Sequence, residues 1–139
     1  MTSAGVDLVR KRAIDLAHVP PLDPLQRLVR DFIERGGKII VVHGTSDPIF
    51  SIDDTVAWYK ALDAHHRGQA NAFARFFPVP GMGHSRGGPA TDQFDALAAL
   101  VAWVENGVAP DSIVASARGA GNAGGVNADV PADWNAART

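Results

Sequence analysis

Two short apolar runs decide what this chain can build. Lys38-Ile39-Ile40-Val41-Val42-His43 is β-branched through its middle, and Ala72-Phe73-Ala74-Arg75-Phe76-Phe77-Pro78-Val79 is aromatic and apolar. Both have the length of strands, and the first reads as a strand buried on both faces. Between them Ser51-Ile52-Asp53-Asp54 resembles a capping box and opens a helix with Ile52, Val56, Tyr59 and Leu62 inward. A strand, a helix and a second strand make a βαβ unit, so the strands should be parallel and the crossover right-handed.

Flanking helices follow from the same reasoning. Asp23-Pro24 reads as an N-cap with proline at the first helical position, followed by Leu25, Leu28, Val29, Phe32 and Ile33 and stopped by Gly36-Gly37. Thr91 is expected to cap a third helix running to Asn106, with Asp92 and Asp95 set against its dipole and Gly107 ending it. The expectation is an α/β fold over residues 1–139 as a single domain: two parallel strands, three flanking helices and weakly structured ends at 1–22 and 110–139. Two strands are too few for a stable parallel sheet, so association with a second copy across a strand edge or helix face is expected.

Composition closes several other routes. A net charge of -2 gives no footprint for nucleic acid, and Arg10-Lys11-Arg12 is a solvated basic patch. No cysteine is present, which removes disulfides and thiolate metal sites. The first residues hold no apolar run of signal-peptide or membrane-span length, so the expected location is cytoplasmic, or secreted or periplasmic if a longer parent carries a signal peptide. No membrane partner and no cofactor are expected.

In parallel sheets chemistry collects in the loops leaving the carboxyl ends of the strands. The first such loop, Gly44-Thr45-Ser46-Asp47-Pro48, carries a carboxylate. The second, VPGMGHSRGGP (Val79–Pro89), carries a choice between neighbours. Gly83–Gly87 matches G-x-S-x-G and nominates Ser85, but a nucleophile elbow needs a helix at or just after its serine. Arg86-Gly87-Gly88-Pro89 intervenes, so Ser85 reads as a loop hydroxyl bonding backbone. His84 can swing its imidazole over the sheet edge toward Asp47, making the acid–base part of a Ser-His-Asp triad. The alternative is a turn-capping Asp47 beside a merely exposed His84.

Other motifs carry less. His43 ends the first strand and reads as a hydrogen-bonded support for the site rather than a metal ligand. His65-His66 reads as a solvated C-terminal turn. Gly119–Gly124 matches G-x-G-x-x-G but no helix pattern follows it. Trp58, Trp103 and Trp134 read as core or interface anchors.

The stretches HGTSDPIFS (His43–Ser51), FFPVPGMGHSRGGPATDQFDALAALVAWVENGVAPDSIVA (Phe76–Ala115) and PADWNAAR (Pro131–Arg138) resemble the C-terminal part of the tannase and feruloyl esterase family. The resemblance implies an α/β-hydrolase fold and cleavage of aromatic acid esters, with a small aromatic ester or acid as the partner molecule. The family's H-G-x-x-D-P motif implies that Asp47 is the triad acid, and its P-G-M-G-H-C motif that His84 is the triad histidine. Ser85 stands where the family has a cysteine bridged to one beside its nucleophile, so that disulfide is impossible here. The family's nucleophile, oxyanion hole and lid belong to sequence upstream of the matched motifs. The chain therefore reads as the last third of such an esterase, inactive alone, or as a non-catalytic, self-associating α/β module.

Overall fold

The computed structural model describes residues 30–131 and 134. The expected N-terminal segment 1–22, the helix start at Asp23-Pro24, the basic run at 10–12 and most of the closing segment lie outside these residues. The chain divides into two compact units, residues 1–35 and 36–139. In the first, residues 30–34 are helical. Arg30 reaches Glu34 at 3.5 Å, an exposed i,i+4 pair of the kind that adds a few tenths of a kcal/mol.

The second unit is built on β1 (Ile39–Gly44) and β2 (Ala74–Val79). They pair in parallel from Ile39 opposite Ala74 to Gly44 opposite Val79. This register has a functional consequence: both strands end at the same level, so the loops after Gly44 and Val79 leave from one edge. The amide of Thr45 donates to Val79 O at 3.0 Å and that of Ser46 to Met82 O at 3.0 Å, which carries the pairing past the strand ends. Thr45 Oγ1 accepts from the Gly81 amide at 2.9 Å and stitches the two loops together.

β1 differs from expectation in burial. Its residues are half-buried and only Gly44 is fully buried. Among the described residues the sheet has two strands, so each keeps an unpaired edge and the faces are only partly covered.

Helix α1 (Ile52–His65) starts where expected, because the Ser51 side chain accepts from the Asp53 amide at 3.2 Å. Ile52, Val56, Tyr59 and Leu62 are half-buried while most of the intervening positions are exposed, the pattern of a helix with one apolar stripe. Tyr59 donates its hydroxyl to Ala74 O at 3.0 Å and its ring lies 5.8 Å from that of Phe76, which pins the helix to β2. The chain leaves α1 through Arg67 and Gly68, both at positive φ, then makes a 3-10 turn at Ala70–Ala72 before β2.

Helix α2 (Ala96–Asn106) corrects the sequence reading. Its N-cap is Asp95, which accepts from Ala98 N at 2.8 Å, not Thr91. Gln93–Phe94 instead forms β3, paired antiparallel with β4 (Ala115–Ser116). Asp92 lies before the helix rather than in its first turn, and its carboxylate is taken by the Gly87 amide and by Arg118. Gly107 closes the helix at φ 71, the left-handed C-cap that glycine adopts without a Cβ clash. Trp103 is the buried anchor of α2 at 4% exposure, with Lys38 Nζ 5.3 Å and Arg75 5.8 Å from its ring.

The segment after Pro110 was expected to bury little. Most of it is irregular, but β4 pairs, and Ala117 and Asn127 are buried. The small central cluster of Val79, Met82 and Ala90, packed by Val42 and Phe94, sits directly beneath the second loop.

Candidate active site

The first loop places Asp47 by local chemistry. Its Oδ1 accepts from the amides of Ile49 at 2.8 Å and Phe50 at 3.1 Å, so the side chain caps its own turn. Pro48, which has no amide to offer, sits where none is needed. This leaves Oδ2 pointing out of the turn, and His84 Nδ1 meets it at 2.8 Å. The two sequence alternatives therefore coexist: Asp47 caps the turn with one oxygen and holds His84 with the other.

The electrostatics agree with the geometry. The Asp47 side chain is only 4% exposed, and that burial works to raise its pKa. The hydrogen bond from His84, the two backbone amides and the imidazolium charge outweigh it and lower the carboxyl to about 2. An ionised carboxylate can only accept, so His84 carries its proton on Nδ1 and presents a lone pair at Nε2 when neutral. Among the described residues nothing hydrogen-bonds Nε2, and the side chain is 43% exposed. The Phe50 ring lies 5.4 Å from the imidazole.

His43 supports this turn from below. The Phe50 carbonyl can only accept, so His43 Nε2–H donates to it at 3.2 Å, and Nδ1 accepts from the Thr55 hydroxyl at 2.8 Å. The same Nε2 lies 3.4 Å from Asp47 Oδ2. His43 thus links strand β1, helix α1 and the Asp47 turn through one ring.

Ser85 stands at φ 67, exposed, beside His84. The expected bond from its hydroxyl to backbone is not present among the described residues. Nor does a helix follow it: the next is α2, beginning at Ala96. His43, Asp47, Phe50, Trp58, His84 and Ser85 line one cleft of about 610 Å³. Of the tryptophans read from sequence as core or interface anchors, Trp58 is exposed on the cleft wall and Trp103 fills the core. The rings of His65 and His66 meet edge to face, as do those of His66 and Phe73; no group of three potential metal ligands occurs among the described residues.

Sequence reasoning missed the support behind His84. Asp92, read from sequence as part of a helix's first turn, and Arg118 and Asn127, from a segment that gave no periodic signal, converge on the loop 83–90. Only the isolated Arg118 in an otherwise small and polar stretch hinted at a partner.

A buried carboxylate orienting an imidazole at the carboxyl edge of a parallel sheet is chemically equipped to accept and return a proton, as a hydrolase requires. The chain belongs to the tannase and feruloyl esterase family, which it matches over residues 21–135. Over 84 residues it is 57% identical to the mono(2-hydroxyethyl) terephthalate hydrolase of Piscinibacter sakaiensis, covering 60% of this chain and 14% of that protein. It is 37% identical over 98 residues to feruloyl esterase B of Aspergillus niger, covering 58% of this chain and 19% of the other. A probable feruloyl esterase B-2 of Aspergillus fumigatus is 33% identical over 120 residues, covering 73% and 22%. The chain thus spans less than a quarter of the length of each of these relatives.

Proposed function

We propose that this chain supplies the acid–base part of a carboxylic-ester hydrolase of α/β-hydrolase type acting on esters of aromatic acids. Asp47 holds the Nδ1–H tautomer of His84, and Nε2 takes the proton of a serine hydroxyl, then returns it to the departing alcohol. The observation that carries this reading is the 2.8 Å contact between His84 Nδ1 and a buried Asp47 Oδ2 that has no amide of its own turn to satisfy. The names of the relatives support the ester class, and the exposed aromatic rings of Phe50 and Trp58 on the cleft suit an aromatic acid.

The nucleophile in this proposal is not Ser85. A nucleophilic serine is activated above a helix N-terminus, with backbone amides arranged for the oxyanion. Ser85 has neither a following helix nor a base able to reach it across a single peptide bond. In this proposal the serine and the oxyanion donors are supplied by sequence other than these 139 residues. The chain alone should therefore neither turn over aromatic esters nor take a fluorophosphonate label. Joined to the upstream part of the 57%-identical hydrolase, it should restore turnover, and kcat should then fall by about 10⁴ in Asp47→Asn and by about 10⁶ in His84→Ala. Turnover by the chain alone that His84→Ala abolishes would contradict the first half of the proposal. A joined enzyme indifferent to His84→Ala would contradict the second.

A second reading, a self-associating module without catalysis, has one observation in its favour. Leu97, Val101, Val104 and Val108 are all exposed along and just beyond α2. Sedimentation at monomer mass would remove it.

A further inference from the structure

The loop that carries His84 has little to hold it by packing. Between the buried Met82 and Ala90 it consists of glycines, Ser85, Arg86 and Pro89, with Ser85, Gly87 and Gly88 all at positive φ. Such a sequence loses more conformational freedom on ordering than any other kind. Yet His84 must sit within hydrogen-bond reach of Asp47, an alignment that an ångström of drift would undo.

Polar groups hold this loop, one just after it and the others from far along the chain. Asp92 Oδ2 accepts from the Gly87 amide at 2.8 Å, and Gly87 O in turn accepts from the Gly83 amide at 3.0 Å, closing the turn on which His84 stands. Asp92 is held by Arg118, whose Nε donates to the same Oδ2 at 2.8 Å and whose backbone amide reaches Oδ1 at 3.3 Å. The Asp92 side chain is fully buried and that of Arg118 is 12% exposed. Burial alone would raise the Asp92 pKa, but the Gly87 amide and the Arg118 guanidinium lower it, so the carboxylate stays charged. Arg118 Nη1 donates to the carbonyls of Gly124 and Gly125.

Asn127 grips the other side of the loop. Its Nδ2 donates to Gly88 O at 3.0 Å and Ala90 O at 3.2 Å, and its backbone amide donates to Arg118 O at 2.9 Å. Asp129 Oδ2 accepts from the Gly88 amide at 3.1 Å. The loop is therefore bonded on both sides of Gly87-Gly88, and its holders are bonded to one another. None of them touches His84.

We propose that Asp92, Arg118 and Asn127 are positioning residues for His84, forming a buried polar brace that sets the 83–90 loop so that Nδ1 meets Asp47. With no cysteine in the chain and few apolar side chains in the loop, this brace supplies the constraint on the loop. The proposal rests on the acid–base reading of His84 for its consequence, but its test reads geometry, not turnover.

The experiment uses the whole 139-residue chain, labelled with ¹⁵N-histidine, and measures the ratio of Nδ1–H to Nε2–H tautomers of His84 at mildly alkaline pH. His84→Gln assigns the signal. Wild type should show mainly the Nδ1–H form, which only the Asp47 contact enforces. Asn127→Ala should keep a cooperative melt but lower that ratio at least tenfold. Leu62→Ala, which loosens α1 away from the loop, should lower the melting temperature and leave the ratio unchanged. Should Asn127→Ala fail to fold, Asp129→Ala, at an exposed residue bonded to Gly88, replaces it, with the ratio again expected to fall. An unchanged ratio in the folded brace variant, or an equal fall in Leu62→Ala, would overturn the proposal. A wild-type ratio favouring Nε2–H would overturn both the brace and the acid–base reading, whereas an intact ratio together with a joined enzyme indifferent to His84→Ala would strike only the latter.

Discussion

Gly44→Ala tests how closely the two loops depend on one another. A Cβ built on Gly44 would lie 2.2 Å from Met82 O, 2.5 Å from Gly83 O and 2.7 Å from Met82 C. All three are backbone atoms, so no side chain can swing aside. Real Cβ atoms essentially never come closer than 3.0 Å, so the 82–83 peptide must retreat by about 0.8 Å. Gly44 has no positive φ, and the whole effect comes from this approach rather than from backbone strain. Overpacking of this kind costs about 1–3 kcal/mol. The Ser46 amide bond to Met82 O, now 3.0 Å, is lost with it, adding about 0.5–1.5 kcal/mol. The sum, about 1.5–4.5 kcal/mol, should lower the melting temperature by roughly 10 °C in a domain of this size. The displaced peptide adjoins His84, so its 2.8 Å bond to Asp47 should stretch beyond hydrogen-bonding range. Thermal melting followed by circular dichroism, with the His84 tautomer ratio measured well below the midpoint, checks both effects. A melting temperature within about 2 °C of wild type and an unchanged ratio would refute the steric reasoning.

Two further outcomes follow from the site and the core. Because Asp47 falls from 3.8 unfolded to about 2 folded, its contribution to stability is present above about pH 4 and is lost as pH falls toward 2. Asp47→Asn should flatten the stability profile between those values in urea titrations, and an unaltered profile would show that the carboxylate is not held as described. Asp92, also lowered, remains in both proteins and cancels in the difference. Trp103→Ala should destabilise by about 3–5 kcal/mol with an unchanged urea slope, since the ring is buried at 4% exposure. A loss under about 1 kcal/mol would mean that α2 is not anchored there.

Much of the site was legible because its signals are local. Ser51 caps α1 through the amide two residues on, and Asp47 folds its turn through amides two and three residues on. Such bonds need no knowledge of the rest of the molecule. The third helix was misplaced because Thr91 and Asp92 look like a cap and its acidic first turn. The chain's remote Arg118 claims Asp92 instead, and β4 claims Gln93–Phe94 as a strand partner. Trp58 could not be told apart from Trp103 for a similar reason: its side of α1 faces the cleft, which periodicity alone cannot distinguish from a packed face.

What the sequence by itself determined is the order of elements and the two chemical groups: a β-branched run and an aromatic run, each followed by a loop, one with Asp47 and the other with His84. Those follow from side-chain period, turn chemistry and capping, all of which act within a few residues. Tertiary structure alone decided that the strands end level, from Gly44 to Val79, and that the two loops are tied at Thr45 and Gly81. It also decided that Asp92, Arg118 and Asn127 hold the His84 loop. Register and long-range hydrogen bonding depend on which distant groups remain unsatisfied once the core has formed, and no local pattern records that.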